Sequence, residues 1–403
     1  MTKLKKYKFS DLYEMSSGIS SKPEQAGHGS PFVSFSTVFN NYFLPEVLPD
    51  KMDTLQKDQE KCSVLEGDLF LTRTSETLDE LGMSCVAVKD YPNATFSGFL
   101  KRFRPTQKDI TYHKYLAFYL RSKLFRKTMS NNAIMTLRAS FNEQIFSYLD
   151  LLLPEHQEQV KAGDLLYLFN EKIELNNKIN AELEAMAKLI YDYWFVQFDF
   201  PNENGKPYKS SGGKMVFNEE LKREIPEGWG FDIIGNLLAK EQLGGKTPSS
   251  EYLVSGSIPI IDQSTKFICG YTNEESKRIK AETPRIVFGD HTRILKLINF
   301  DFARGADGTQ VLLSKEERVP QHFFYHSLLK IDLSNYGYAR HFKFLKDTRT
   351  IIPDLNIVTQ YEEKAKNWYD MIWANMRENQ KLSELRDWLL PMLMNGQVSV
   401  GGS

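Results

Sequence analysis

Two long stretches of this chain repeat each other at an offset of 199 positions, and both are almost free of the residues that normally end a helix. The stretch NNKINAELEAMAKLIYDYWF (176–195) corresponds without a gap to NMRENQKLSELRDWLLPMLM (375–394). Each copy follows an apolar run that ends in a proline, Pro154 in the first and Pro353 in the second. Over roughly 40 residues after each proline, only Gly163 and Pro391 interrupt the pattern. The sequence therefore predicts two copies of one structural unit, each ending in a long helix.

A helix of that length reaches roughly 60 Å and needs a partner along it. Its apolar residues recur at spacings of three, four and seven, as in the seam of a coiled coil. The seam positions are Asn176, Leu183, Met186, Ile190 and Tyr193 in the first copy and Asn375, Leu382, Leu385 and Leu389 in the second. Because a duplicated unit closes most simply about a pseudo-two-fold axis, the two helices are predicted to pair antiparallel. Asn176 and Asn375 either fix the register of this seam or lie on solvated helix faces.

Short β-like runs such as SPFVSFSTV and GSIPIIDQST, separated by turn residues, fill the segments before the two helices. They predict an α+β fold in which each globular lobe is followed by a long helix. A stretch rich in proline, glycine and serine, FDFPNENGKPYKSSGGKM, connects the first helix to the second lobe. The predicted boundaries are residues 1–153 for the first lobe, 154–198 for the first long helix, 199–229 for the connector, 230–352 for the second lobe, and 353–400 for the second long helix and the C-terminus.

The net charge of −1 conceals an uneven distribution of charge along the chain. Residues 101–138 contain ten basic residues and one acidic residue, whereas residues 155–196 contain eight acidic residues and four lysines. Three cysteines at unrelated spacings, Cys62, Cys85 and Cys269, match neither a disulfide framework nor a zinc motif. The sequence has no apolar signal segment and no uninterrupted 18-residue apolar run. We therefore expect a cytoplasmic protein with basic lobes and acidic helices, and without a metal site or a membrane partner.

No familiar catalytic motif occurs in the chain. The segment LGGKTPS (243–249) ends like a phosphate-binding loop, but Lys240 stands where that loop needs its first glycine. The dinucleotide-binding, serine-hydrolase and zinc-peptidase motifs are absent, as is the Asn/Asp-Pro-Pro-aromatic tetrapeptide of adenine methyltransferases. His291 and His341 have no partner ligands at metal spacing. These observations favour a binding protein over an enzyme, and leave open a methyltransferase with an unfamiliar site or a protein scaffold.

Six segments combine Arg, Lys, Asn, Ser or Thr with Phe or Tyr, a composition suited to contacts with phosphates and base edges. Three lie in the first lobe (LTRTS, TFSGFLKRFR, MTLRASFN) and three in the second (GDHTR, ARGADGTQ, NYGYARHFKF). One such segment alone is compatible with a solvated loop, whereas three in each lobe favour binding of double-stranded DNA. The predicted DNA contacts are Arg73, Thr74, Ser97, Lys101, Arg102, Arg138, Ser140, Asn142, Lys246, His291, Thr292, Arg293, Arg304, Asp307, Thr309, Tyr338, Arg340, His341 and Lys343.

With these lobes, helices and absent motifs, the chain resembles the specificity subunit of a Type I restriction-modification enzyme. The resemblance covers nearly the whole chain and is carried by IELNNKINAELEAMAKLIYDYWFVQFDFP, NGKPYKSSGG followed by IPEGW, IVFGDHTRILK, ARGADGTQVL, GYARHFKFLK and LSELRDWLLPMLMNGQV. It implies that the lobes are target recognition domains that read the two parts of a split DNA sequence, and that the helices are a spacer between them. It also implies a non-catalytic chain that binds no cofactor of its own.

The same resemblance implies partner subunits. Two methyltransferase subunits, which bind S-adenosylmethionine and modify adenine at N6, would dock on the chain, and restriction subunits that use ATP and Mg would join for cleavage. Apolar residues in excess of the helix seam are predicted to bury against another chain. They are Leu189, Tyr193, Trp194 and Phe195 at the end of the first helix and Trp388, Leu389 and Leu393 at the end of the second. The first lobe lacks the GDHT and GADGT strings of the second, so the two lobes are expected to read different sequences.

Overall fold

A computed structural model of the chain describes residues 3–20, 22–75, 81–132, 139–140, 142–241, 243–306, 308–337 and 340–401. The chain divides into two compact units. Unit 1 contains Met1–Leu175 together with Glu378–Ser403, and unit 2 contains Asn176–Arg377. The largest hydrophobic clusters follow this division, because one is made of unit 1 residues and another of unit 2 residues. Each long helix contributes residues to both units.

Unit 1 combines small sheets with short helices. Its strands are β1 (Lys5–Lys8), β2 (Tyr13–Ser17), β3 (Ala26–Val33), β4 (Asp50–Met52), β5 (Leu69–Thr72), β6 (Thr74–Ser75), β7 (Ser84–Val86), β8 (Thr95–Phe96), β9 (Leu100–Pro105), β10 (Ala139–Ser140) and β11 (Asp150–Leu153). Its helices are α1 (Phe9–Leu12), α2 (Phe35–Asn40), α3 (Gln56–Lys61), α4 (His113–Tyr119), α5 (Lys123–Asn132), α6 (Glu143–Tyr148) and the first part of α7 (His156–Tyr191). The larger sheets have the strand orders β2-β9-β5-β7 and β4-β3-β8.

Short apolar segments supply the core of unit 1. All four residues of β5 (LFLT) are buried, as expected for a strand that is covered on both faces. Phe9 stacks on Phe103 with 5.1 Å between ring centroids and meets Phe146 edge-on at 5.2 Å. The first strand, β1, pairs antiparallel with the last, β11, from Lys5–Leu153 to Lys8–Asp150. The two ends of the first lobe therefore lie side by side.

Unit 2 repeats this general plan with different strands. Its strands are β12 (Met215–Asn218), β13 (Arg223–Pro226), β14 (Gly230–Ile233), β15 (Ile258–Ile261), β16 (Gly270–Thr272), β17 (Arg278–Ile279), β18 (Arg285–Gly289), β19 (Leu295–Ile298), β20 (Phe302–Arg304), β21 (Thr309–Leu312) and β22 (Arg349–Ile352). Its helices are α8 (Ile234–Leu237), α9 (Gln321–Leu329), α10 (His341–Asp347) and the first part of α11 (Leu355–Met394). The main sheets have the orders β16-β15-β20-β17 and β19-β18-β21, and β14 pairs antiparallel with β22.

The two long helices that the sequence predicts are present as α7 and α11. Each begins two residues after a proline, Pro154 or Pro353, and the apolar runs before these prolines form the strands β11 and β22. At 1.5 Å per residue, the 36 residues of α7 and the 40 residues of α11 extend roughly 54 Å and 60 Å. Pro391 does not shorten α11, because it lies in the last turn of the helix.

Within unit 2 the two long helices are joined by side-chain contacts. The hydroxyl of Tyr361 donates to the carbonyl of Ala187 (3.4 Å), and Nδ2 of Asn375 donates to Oδ1 of Asn180 (2.8 Å). Residue numbers therefore rise along one helix as they fall along the other. Asn176 is 1% exposed, which excludes the alternative that it lies on a solvated face.

The buried face of α7 differs in part from the predicted seam. Met186 is 46% exposed, whereas its neighbour Ala187 and the residue one turn later, Tyr191, are buried. An α-helix with 3.6 residues per turn drifts away from a strict seven-residue repeat, so the buried face moves around the helix along its length. The prediction that Met186 belongs to the seam is therefore wrong.

The aromatic residues at the end of α7 pack into the core of unit 2. At three and four residues after the buried Tyr191, Trp194 and Phe195 continue the buried face of α7 into a π-helical turn, Asp192–Val196. Phe195 meets Phe323 with 4.7 Å between ring centroids. Trp194 is 4% exposed and Phe195 is 1% exposed. Their burial corrects the prediction that these two side chains anchor another subunit.

The remaining predicted partner residues differ in exposure. Leu393 of α11 is buried in the core of unit 1, so the prediction that it contacts another chain is also wrong. Tyr193 and Leu389 are half-buried. Leu189 and Trp388 are 65% and 63% exposed, which leaves these two side chains available to another chain.

Replacing Trp194 by alanine is expected to destabilise unit 2. The indole is almost fully buried, and removal of a buried aromatic side chain lowers the free energy of unfolding by about 3–5 kcal/mol. Thermal unfolding of the Trp194→Ala chain measures the loss. The exposed neighbour Leu189 provides the control, since Leu189→Ala should leave the midpoint nearly unchanged. Equal midpoints for Trp194→Ala and the unaltered chain would show that the indole is not a core residue.

A buried histidine connects α9 to α11. The Nδ1 atom of His326 lies 3.0 Å from the carbonyl oxygen of His322 and 2.8 Å from the hydroxyl of Tyr361, and its Nε2 atom lies 3.3 Å from the hydroxyl of Tyr369. Burial lowers the pKa of His326 to about 4, since the charged imidazolium loses its hydration there. The ring is therefore neutral in the folded unit at neutral pH.

The low pKa of His326 predicts that unit 2 is sensitive to acid. An unfolded chain takes up this proton near pH 6.5, whereas the folded unit resists it until about pH 4. The free energy of unfolding should therefore fall as the pH is lowered through this window, by on the order of 3 kcal/mol. Denaturant unfolding at several pH values measures this slope, and comparison with His326→Gln isolates the contribution of the ring. Identical slopes for the two chains would refute the assignment.

Candidate nucleic-acid interface

The loop between β18 and β19 exposes three of the predicted contact residues. The N–H of Gly289 donates to the carbonyl of Ile294 (2.8 Å), and the N–H of Arg293 donates to the carbonyl of Gly289 (2.7 Å). His291, Thr292 and Arg293 are exposed at its tip. Arg293 has a φ of 63°, in the left-handed region that costs a non-glycine residue about 1–2 kcal/mol. The backbone of Arg293 therefore has a conformation that glycine would adopt at lower cost.

Asp290 joins this loop to the two other predicted segments of the second lobe. Its N–H donates to the carbonyl of Gly308 (2.7 Å), in the segment ARGADGTQ. Its carbonyl accepts the N–H of His341 (2.9 Å), and its Oδ1 accepts the N–H of Phe342 (2.8 Å) in the first turn of α10. A carboxylate at this position also interacts favourably with the helix dipole. The three segments that composition selected in the second lobe thus meet at one aspartate.

Six predicted contacts of the second lobe have exposed side chains. They are Lys246, His291, Thr292, Arg293, Arg340 and Lys343. Arg340 directly precedes α10 and Lys343 lies in its first turn, next to the residues that Asp290 holds. Four of the six side chains carry a positive charge at neutral pH, which suits a surface that meets phosphates.

Two other predicted contacts of the second lobe are buried, so the prediction that their side chains contact DNA is wrong. Thr309 is 1% exposed, and it opens the edge strand β21, where it pairs with Gly289 of β18. His341 is 2% exposed, and its Nδ1 atom lies 2.9 Å from the carbonyl oxygen of Asp290. Both side chains lie in the interior and support the loops.

Arg304 is half-buried, and its guanidinium holds a neighbouring segment. Its Nε donates to the carbonyl of Gly244 (3.1 Å), and its own carbonyl accepts the N–H of Thr247 (3.1 Å). Arg304 therefore positions the segment that carries the exposed Lys246. The predicted contacts Asp307 and Tyr338 lie outside the described residues.

In the first lobe, Arg73 and Lys101 come together at the end of the sheet. Lys101 pairs with Leu71 across β5 and β9, and the N–H of Arg73 donates to the carbonyl of Phe99 (2.8 Å). Nζ of Lys101 donates to Oγ of Ser17 (2.7 Å). Burial lowers the pKa of Lys101, and the nearby positive charge of Arg73 lowers it further. An anion bound at this pair would relieve the repulsion between the two charges.

The third predicted segment of the first lobe, MTLRASFN, lies next to the segment of Arg73 because their backbones pair as strands. Strand β10 pairs with β6, so Ser140 lies opposite Thr74. Asn142 caps α6, because its side chain accepts the N–H of Ile145 (2.9 Å). The side chain of Asn142 is nevertheless exposed. Arg138 lies outside the described residues.

Arg102 and Ser97 are corrected as contact residues of the first lobe. Successive side chains of a strand point to opposite faces, so Arg102 of β9 points inward where Lys101 points outward. Arg102 is 8% exposed, and its Nη1 donates to the carbonyl of Ser63 (2.6 Å). Ser97 is 8% exposed, and its Oγ accepts the N–H of Phe99 (3.2 Å).

Two residues at the candidate interface were missed by the sequence analysis. Phe99 is 65% exposed beside Arg73, where an aromatic ring can stack on a base or cover a sugar. It lies within TFSGFLKRFR, but the sequence does not show which of the three phenylalanines there is exposed. Gln263 is half-buried and contacts the loop 289–293 from a segment 26 residues earlier. Only its position after the apolar run of β15 could have drawn attention to it.

The described parts of the chain contain neither a metal-binding cluster nor a membrane-spanning helix. No group of three or more His, Cys, Asp or Glu side chains in these ranges is arranged to hold a metal ion. No helix in the same ranges has both the length and the apolar character to cross a membrane. Cys62, Cys85 and Cys269 are free thiols, and Sγ of Cys269 donates to Oδ1 of Asp262 (2.7 Å).

Known proteins share both the sequence and the fold of this chain. Residues 1–185 match the family described as Type I restriction modification DNA specificity domain. The Type I restriction enzyme MjaIX specificity subunit of Methanocaldococcus jannaschii is 23% identical over 387 residues, covering 89% of this chain and 85% of that protein. The family match covers less than half of the chain, whereas the similarity to this specificity subunit extends over most of it. The HindI specificity subunit of Haemophilus influenzae is 21% identical over 452 residues, covering 91% of this chain and 94% of that protein.

A solved structure has the same fold as this specificity subunit. The crystal structure of the Type I restriction-modification system S subunit from M. genitalium superposes with a TM-score of 0.62, covering 97% of this chain and 96% of that chain. The two sequences are 12% identical, so the comparison concerns the fold alone. The match to a DNA specificity domain and the similarity to two specificity subunits confirm the prediction of a non-catalytic DNA-recognition subunit of a Type I system.

Replacing Arg293 by glycine should separate DNA binding from stability. Glycine adopts the left-handed conformation without strain, so the free energy of unfolding should stay equal or rise by about 1 kcal/mol. The loss of one base contact should weaken DNA binding by about 1–3 kcal/mol, and the loss of the positive charge should also lower the slope of log affinity against log salt concentration. Equilibrium binding to duplex DNA across a salt series, together with thermal unfolding, measures both effects.

Lys222 provides a matched control for Arg293→Gly. It is an exposed cation of the same unit with a φ of 52°, and it lies in the turn between β12 and β13. Lys222→Gly makes the same change of charge and backbone away from the candidate interface. It should leave the DNA affinity and the salt slope unchanged. If both variants bind DNA like the unaltered chain, Arg293 does not contact DNA.

Proposed function

We propose that this specificity subunit reads two separate blocks of one DNA duplex, one block with each lobe, across a gap of fixed length. The observation that supports this most directly is the convergence of the predicted segments. Three segments meet at Asp290 in the second lobe, and three meet beside Arg73 and Lys101 in the first. The segments were chosen by composition alone, so their convergence is independent support for a shared surface.

The exposed cations and the loop tips have different roles in this proposal. Lys246, Arg340 and Lys343 in the second lobe and the pair Arg73 and Lys101 in the first supply contacts to phosphates, which give affinity that depends on salt. His291, Thr292 and Arg293 are exposed at one loop tip, and hydrogen bonds from these side chains to base edges would discriminate between sequences. The two lobes differ in these residues, so each would read its own block.

The two long helices act as a ruler in this proposal. They form an antiparallel coiled coil about a pseudo-two-fold axis and hold the lobes apart. The bonds of Ala187 with Tyr361 and of Asn180 with Asn375 support antiparallel pairing in unit 2. The ion pair between Lys172 and Glu378 (3.3 Å) supports the same direction in unit 1. Because a duplex presents the same groove once per helical turn, two lobes at a fixed separation would accept only one gap length.

Partner subunits dock on the exposed apolar residues of the helices. Leu189 and Trp388 are the predicted partner residues with the largest exposed fractions, and an exposed tryptophan is a frequent anchor of protein interfaces. The partners would be two methyltransferase subunits, which carry S-adenosylmethionine and modify adenine at N6, and restriction subunits that use ATP and Mg. This chain would place the methyltransferase site on one base, which that partner flips out of the duplex.

A matched insertion in both helices tests the ruler. Seven residues are added to α7 by repeating 173–179, and seven to α11 by repeating 376–382, so that the seam keeps its register. The helices lengthen by about 10 Å, which corresponds to about three base pairs of DNA. Methylated adenines are then mapped in cells that contain the chain and its methyltransferase. The unaltered chain should give two blocks with one gap, and the lengthened chain a longer gap or no methylation.

The same seven residues placed in an exposed turn provide the control. Gly205 has open space around it and lies in a turn of the connector, so an insertion before it leaves both helices unchanged. This control should keep the original motif and gap. An unchanged gap in the chain with lengthened helices would exclude the ruler, and a motif without two blocks in the unaltered chain would exclude the proposed function.

A further inference from the structure

Gln263 lies under the recognition loop of the second lobe and is bonded to it twice. Its Oε1 accepts the backbone N–H of His291 (3.1 Å). Its own carbonyl accepts the hydroxyl of Thr292 (2.6 Å). Both partners belong to the exposed tip of the loop, whereas Gln263 is half-buried. The glutamine thus fixes the height and the orientation of the tip above the sheet.

Two glycines show how closely the neighbouring segments approach Gln263. A Cβ atom added to Gly289 would lie 2.9 Å from the Cβ of Gln263, and one added to Gly308 would lie 2.6 Å from its Nε2. Gly308 also has a φ of 90°, which side chains rarely adopt. Gln263 therefore fills the space between the loop 289–293 and the segment that begins β21. Neither segment can shift without meeting this side chain.

The segment that carries Gln263 is itself held in place. Oδ1 of the preceding residue, Asp262, accepts the N–H of Ser264 (2.8 Å) and the thiol of Cys269 (2.7 Å). The hydroxyl of Tyr252 donates to Oδ2 of Asp262 (3.3 Å), and Nζ of Lys296 donates to its carbonyl (2.9 Å). Lys296 is 6% exposed, so this ammonium is part of the interior. Gln263 thus directly follows a residue, Asp262, that is held by several hydrogen bonds.

We propose that Gln263 is a positioning residue for sequence specificity, and that it sets which base pairs the second lobe accepts by fixing the tip formed by His291, Thr292 and Arg293. Discrimination between bases depends on hydrogen bonds of defined length and angle. A loop that is free to move can form such bonds with more than one base. Loss of the Gln263 contacts should therefore widen the accepted sequence of one block, while contacts to phosphates keep most of the affinity.

This inference rests on the proposed function, and one experiment can test the two separately. The full chain with its methyltransferase is presented with a library of duplexes randomised at both blocks, and the bound sequences are determined. In Gln263→Met the side chain keeps its length but no longer accepts the N–H of His291. Discrimination at one or more base pairs of the second lobe's block should fall about tenfold, within the range expected for one well-formed base contact. The other block and the gap should not change.

Three further variants separate positioning from general stability. Gln263→Glu keeps an oxygen that accepts the N–H of His291, so it should retain the base preference even though its negative charge weakens binding to every sequence. Thr292→Val removes the hydroxyl that donates to the carbonyl of Gln263, and it should widen the same block. Gln107→Met breaks a comparable hydrogen bond in the first lobe, where Nε2 of Gln107 donates to the carbonyl of Asp11 (3.0 Å), and should change neither block.

The possible outcomes are distinct. If the unaltered chain selects no split sequence, the proposed function is wrong. If it does, and Gln263→Met selects the same second block with the same discrimination, the inference about Gln263 is wrong. Equal loss of discrimination in Gln263→Glu and Gln263→Met would also overturn it. Thermal unfolding is recorded for each variant, and if Gln263→Met is unfolded at the assay temperature, Thr292→Val and Gln263→Glu decide the question.

Discussion

Burial of one tyrosine connects the second lobe to both long helices. Tyr361 of α11 is fully buried, and its ring contacts the rings of both Tyr191 and Phe195 at the end of α7. Its hydroxyl reaches the carbonyl of Ala187 and the ring of His326 in α9. Hydrophobic burial supplies most of the stabilisation at such a junction, and the hydrogen bonds set its orientation. The place of the lobe on the helices within unit 2 follows from this cluster.

In the candidate interface, the residues that hold the loops in place differ from those whose side chains are exposed. Asp290 and Gln263 bind mostly to backbone groups, namely the N–H groups of His291, His341 and Phe342 and the carbonyl of Gly308. Backbone groups are the same for every residue type, so such bonds tolerate changes in the side chains above them. A recognition surface can then change its side chains while its loops keep their positions. This arrangement suits a family whose members must recognise different sequences.

The elements with strong local signals are those that the sequence predicts well. The long helices follow from two stretches almost without glycine or proline. The inward or outward direction of a side chain depends on register, so Lys101 and Arg102 could not be told apart. The burial of Trp194 depends on contacts with residues distant in the sequence, such as Tyr361 of α11 (6.3 Å between ring centroids), which helical spacing does not reveal. Gln263 is brought to its loop by sheet pairing between distant segments, which periodicity does not reveal.

The strand pairs at the base of each lobe have an evolutionary consequence. Lys5 lies opposite Leu153 in β1 and β11, and Gly230 lies opposite Ile352 in β14 and β22. Paired positions on antiparallel strands are about 5 Å apart, so the chain enters and leaves each lobe at nearly the same point. Each lobe is therefore joined to the rest of the chain at one place. Under the proposed function, recombination between related genes at these two strands would exchange everything between them and replace one block of the target in a single step, while the helix sequences stay as they were.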